Sequence, residues 1–78
     1  MRALIQRVRS ARVEVDDKTV GSCAQGLLIF LGVGQDDTSK NAQVLWDKIL
    51  HLRIFSDAQG KTNLSLADVD GEVLVVIQ

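Results

Sequence analysis

Two runs of five consecutive apolar residues, Leu27–Leu31 (LLIFL) and Val73–Ile77 (VLVVI), most constrain what this chain can fold into. Side chains alternate between the two faces of a strand, so a run without polar interruption needs cover on both faces. Gly26 opens the first run, and an Asp70–Gly71 turn signal precedes the second. Val73–Ile77 reads as a central strand, with both faces and both edges covered. A long apolar strand left at a sheet edge would be a template for pairing. It is therefore expected to be covered by another chain, or by further residues of its own chain.

The remaining elements follow from shorter patterns. From Ala3 to Val15 the alternation is partial: Val8, Ala11, Val13 and Val15 stand against Arg7, Arg9, Arg12 and Glu14. Its phase slips near Ser10–Ala11, which predicts one long strand with a bulge there. Asp16–Asp17–Lys18 is a polar turn, and Thr19–Cys23 returns as the second arm of a hairpin. Gly34–Gln35–Asp36–Asp37 is a loop, after which Asp37, Thr38 or Ser39 can cap a helix. Ala42, Leu45, Trp46, Ile49 and Leu52 share one helical face, and Gln43, Asp47 and His51 the other. That spacing predicts a helix from about Ser39 to His51. Leu52–Phe55 then reads as a short strand and Ser56–Lys61 as a turn, with Gly60 free to take positive φ. Leu64 and Leu66 are expected to point inward. The order predicts an α+β fold in one domain, residues 1–78, with a mainly antiparallel, barrel-like sheet and one principal helix.

Charge and composition exclude several function classes. Formal net charge is -1, so no global basic field marks a nucleic-acid binder. The arginines are nonetheless uneven: Arg2, Arg7, Arg9 and Arg12 all precede the first acidic residue, Glu14. Four guanidinium groups at one end could meet phosphates, although such charge runs more often form a solvated strand face. Cys23 is the only cysteine, which rules out an internal disulfide and fits a reducing cytoplasm. A lone cysteine of this kind is more often a small packing residue than a nucleophile. His51 is expected to be solvated and Trp46 to belong to the core. One His and one Cys cannot make a metal-ligand cluster, and no run reaches the roughly 18 apolar residues of a membrane span.

Several longer segments carry a resemblance. MRALIQRV at Met1–Val8, VEVDDKTVGS at Val13–Ser22 and GLLIFLGV at Gly26–Val33 are followed by DDTSKNAQVLWDKILHLRIFSDAQGKTNLSLADVDGEVLVV at Asp36–Val76. In their order and spacing, these resemble the N-terminal half of a D-aminoacyl-tRNA deacylase. The resemblance implies a β-rich homodimeric hydrolase, acting in the cytoplasm on the aminoacylated 3′ end of tRNA. Its members cleave the ester of D-aminoacyl-tRNA, and of glycyl-tRNA mischarged on tRNA-Ala, so that tRNA is recycled and D-residues stay out of proteins. It implies no metal and no organic cofactor, and neither a DNA nor a membrane partner.

The resemblance also assigns residues. The family's Ser-Gln pair falls at the end of Val73–Gln78, so Gln78 takes the position of the catalytic-site Gln. Ile77 stands where the family has Ser, which removes a hydroxyl. A second family motif, a Gly-Pro pair with a cis peptide bond, rejects L-amino acids in the partner subunit's pocket. This sequence contains no proline, and cis peptides are essentially confined to proline. Arg7 matches an arginine that supports that element. The family is similar to a substrate-assisted catalyst, in which the terminal ribose 2′-hydroxyl helps and no side-chain nucleophile is required. The alternative reading, motivated by Ile77, the missing proline and the apolar last strand, is a non-catalytic remnant serving as a dimerisation or tRNA-contact module.

Overall fold

The Leu27–Leu31 run becomes the middle of the main sheet. The computed structural model describes all residues 1–78. β1 (Arg2–Val8), β4 (Gly26–Gly32) and β7 (Glu72–Ile77) form a three-stranded sheet in the order β1-β4-β7. β1 runs antiparallel to β4 and β7 runs parallel to it. A parallel neighbour needs a crossover connection. Here it contains α1 (Ser39–Leu50) and a small antiparallel pair, β5 (Phe55–Ser56) with β6 (Thr62–Leu64). β2 (Ala11–Val15) and β3 (Lys18–Cys23) make a separate antiparallel hairpin. Seven strands, one helix and mostly antiparallel pairing give the expected α+β class.

Register decides which side chains meet. Ile5, Ile29 and Val75 lie in one row across the sheet, and Arg7, Leu27 and Val73 in another. Directly opposed residues share a face. This face carries the core of Leu27, Ile29, Ile49, Phe55 and Leu66, with Ala3, Ile5 and Val73 packed against it. Leu27 and Phe55 are the two largest fully buried side chains. The opposite face bears the row Leu4, Phe30 and Val76. It is only partly covered: β3 reaches it where Gly21 leaves room for the Leu74 side chain, and Leu4 remains 69% exposed.

The helix begins as its sequence suggests. Thr38 is extended at φ -118°, and its N–H donates to Asn41 Oδ1 at 2.8 Å. The Ala42 N–H reaches the Thr38 carbonyl, and Lys48 in the last turn suits the helix dipole. His51 closes the helix as its C-cap, exposed and with Nδ1 2.7 Å from the Asp47 carbonyl oxygen. Gly60 takes φ 78° in the turn between β5 and β6. Cys23 is buried and unpaired, as a packing residue would be.

Four expectations are corrected. Ala3–Val15 is two strands in two sheets and not one strand bulged near Ser10–Ala11: pairing with β4 ends at Val8, pairing with β3 begins at Ala11, and the register shift lies between Val13 and Glu14. The short strand expected at Leu52–Phe55 is confined to Phe55–Ser56, since Leu52 still bonds back to Ile49 at the helix end. Trp46 is 39% exposed at the rim of an apolar hollow between α1, β4 and β7, not enclosed in the core. Val73–Ile77 is an edge strand: β4 covers one edge, and Val75 and Ile77 are 46% and 63% exposed.

Candidate functional site

The two residues singled out by resemblance lie at opposite ends of the sheet. Arg7 pairs with Leu27, whereas the Gln78 N–H donates to the Leu31 carbonyl at 2.8 Å. Gln78 follows Ile77, the partner of Leu31, so five residues along β4 separate the two positions, about 17 Å at the usual strand rise. One chain therefore does not bring Arg7 and Gln78 into one pocket.

Gln78 is placed by β7. The N–H groups of Glu72 and Gln78 both donate to β4-side carbonyls, those of Gln25 and Leu31. In a parallel ladder the intervening residues alternate, which turns the Val75 and Ile77 N–H groups to the open edge. Ile77 sits opposite Leu31, so the same register continues to Gln78 opposite Gly32 and Arg2. Gly32 carries no side chain, and the strand positions of Arg2 and Gln78 flank it, about 10 Å apart across two strand spacings. The end of β7 thus offers an exposed amide and an outward backbone donor beside the exposed, apolar Ile77.

The other end is better built. Arg7 occupies the core face, following Ala3 and Ile5, at the point where the sheet runs out. Its guanidinium Nη1 donates to the Ile54 carbonyl at 2.6 Å, which ties β1 to the segment after the helix. Phe55, next in sequence, is 2% exposed and anchors that segment in the core. Arg7, Val8, Arg9, Gln25, Phe55 and Ser56 line a hollow of about 340 Å³. Nearby, the start of β7 is pinned by a bond from the Ala24 N–H to the Glu72 carboxylate at 2.6 Å. Arg9, Gln25 and Ser56 were not legible as a group in the sequence, because three separate segments contribute them.

Three carboxylates have pKa values held below their ordinary level. For Asp37 the main cause is the Met1 ammonium group, 2.7 Å away, helped by the Gly34 N–H. Asp57 accepts the Lys61 and Gln59 N–H groups, and Asp68 accepts the Ser65 N–H. The Asp57 and Asp68 contacts each fix a turn, whereas the Asp37 contact ties the N-terminus, beside Arg2 at the Gln78 end of the sheet, to the loop before α1. No three His, Cys, Asp or Glu side chains gather as a metal centre. No helix is long and apolar enough to cross a membrane.

The comparisons with known proteins fit this architecture over its whole length. Residues 4–78 match the family model for D-Tyr-tRNA(Tyr) deacylase. The chain is 56% identical over 78 residues to a D-aminoacyl-tRNA deacylase of Thermosipho africanus (strain TCF52B), covering 100% of this chain and 52% of that protein. It is 58% identical over 78 residues to one from Desulfatibacillum aliphaticivorans, again covering 100% of this chain and 53% of the relative. Among solved structures it superposes on the c-Myc DNA Unwinding Element Binding Protein with a TM-score of 0.93 and 37% identity, covering 100% of this chain and 53% of that one. The chain thus spans about half the length of the curated relatives it matches, and it belongs to the D-aminoacyl-tRNA deacylase family.

Proposed function

We propose that this chain provides the N-terminal half of an aminoacyl-tRNA editing hydrolase. Such an enzyme would cleave the ester of D-aminoacyl-tRNA, and of glycyl-tRNA mischarged on tRNA-Ala, in the cytoplasm and as a homodimer. The match of residues 4–78 to the deacylase family carries this reading. An aminoacyl ester is intrinsically labile, so the enzyme's main tasks are to fix the carbonyl and to stabilise the developing oxyanion. The donors at the end of β7 suit that chemistry: the Gln78 side-chain amide and the outward Ile77 N–H. The terminal ribose 2′-hydroxyl would assist, with no metal or organic cofactor. The separation of Arg7 from Gln78 means that Arg7 does not serve its own chain's Gln78 pocket.

A second reading, a non-catalytic dimerisation or tRNA-contact module, draws on the exposed Ile77 in place of a serine and on the open β7 edge. Hydrolysis of D-tyrosyl-tRNA and glycyl-tRNA by the purified chain separates the two, with L-tyrosyl-tRNA as control. Turnover of the first two with the L ester spared is expected of the hydrolase. Rates equal to uncatalysed decay would leave the module.

A further inference from the structure

We infer that the hollow framed by Arg7, Arg9, Gln25 and Ser56 is an anion site that takes a backbone phosphate of the RNA ligand, apart from the Gln78 end. This inference rests on the proposed tRNA substrate. The fold sorts the four N-terminal arginines. Arg2 lies at the opposite end of β1, opposite Gly32. Arg12 is committed to Glu14, with its Nε 3.1 Å from the carboxylate. Only Arg7 and Arg9 converge on one hollow, and neither is in an ion pair.

The lining is that of an anion site. Its polar groups are two guanidinium groups, one amide and one hydroxyl, all able to donate, and no carboxylate lines it. The bond from Arg7 Nη1 to the Ile54 carbonyl fixes that guanidinium and leaves its other N–H groups to a ligand. An oriented guanidinium suits phosphate oxygens, because less freedom is lost on binding. Val8 and the buried Phe55 supply an apolar wall. At about 340 Å³ the hollow has room for a phosphate and part of its sugar. With a net charge of -1, binding would come from this local pair and not from a general field.

The test measures binding of deacylated tRNA by fluorescence anisotropy across a salt series, which requires no ester hydrolysis. Arg9→Gln should weaken binding roughly tenfold at low salt and lower the salt slope by about 0.7 to 0.9, the share of one phosphate. Ser56→Asp, which places a carboxylate in the hollow, should weaken it at least as much. Lys18→Gln, at the far hairpin tip, should change neither quantity. Equal losses in Arg9→Gln and Lys18→Gln, or none in Arg9→Gln and Ser56→Asp, would overturn the site. Inorganic phosphate that binds in the hollow without competing with tRNA would assign it to free phosphate and overturn the RNA assignment. Arg9-sensitive tRNA binding without ester hydrolysis would keep this site while removing the hydrolase reading; hydrolysis with unaltered binding by both variants would do the reverse.

Discussion

Gly26 lies so close against Glu72 that a Cβ on Gly26 would sit 1.7 Å from the Glu72 carbonyl oxygen. The obstacle is backbone, which cannot step aside as a flexible side chain would. This contact starts the parallel pairing of β4 with β7. Gly26→Ala is therefore expected to cost about 3 kcal/mol or more, through overpacking and lost pairing. Gly32→Ala, whose Cβ would meet nothing closer than the Arg2 carbonyl at 3.9 Å, should stay within about 0.5 kcal/mol of the parent. Urea unfolding of both variants checks the contrast.

The core is small enough for one truncation to decide folding. Phe55 is 2% exposed and joins the helix side of the sheet to the β5–β6 pair. Phe55→Ala should cost about 3–5 kcal/mol. Domains commonly hold only about 5–15 kcal/mol in total. Loss of a cooperative thermal transition is expected, whereas Leu4→Ala, at a site 69% exposed, should melt much like the parent.

Acid should act through Asp37. Its contacts with the Met1 ammonium and the Gly34 N–H favour the charged carboxylate and hold its folded-state pKa below the usual 3.8. A depressed folded-state pKa contributes stability that is full above the unfolded value and is lost as pH falls through the folded one. Asp57 and Asp68 act in the same direction. Urea midpoints should be level from neutral pH to about pH 4 and fall in stronger acid. Asp37→Asn should lower the neutral midpoint and make the acid decline shallower; an unchanged profile would remove Asp37 from this role.

The open edge of β7 predicts association. Val75 and Ile77 are large, apolar and about half exposed or more, on a strand paired along one edge only. Sedimentation of the purified chain should give a mass above its 8.5 kDa monomer. Val75→Lys should shift the population toward monomer. A monodisperse monomer that unfolds cooperatively would contradict the prediction.

Ile77→Ser tests the chemistry at the end of β7. The side chain is 63% exposed, so the change should move stability by no more than about 0.5 kcal/mol. It adds a hydroxyl beside Gln78. Under the proposed function, D-tyrosyl-tRNA hydrolysis should rise above the parent rate while L-tyrosyl-tRNA stays at the uncatalysed rate.

Local chemistry made much of this protein legible in advance. The spacing of Ala42, Leu45 and Ile49 marked the helix, Asp16–Asp17 the hairpin turn, and Gly60 the positive-φ position, because each depends on neighbours a few residues away. Sequence also sufficed for the family, since its segments are contiguous. Tertiary structure alone decided that Val73–Ile77 pairs in parallel at an edge, that Trp46 stays at a rim, and that Arg7 and Gln78 lie apart. It alone joined Arg7 and Arg9 to Gln25 and Ser56, residues from three strands or their connections. Periodicity fixes which face a side chain takes within its own strand; which strands become neighbours is set by packing across the whole chain, and no local pattern encodes it.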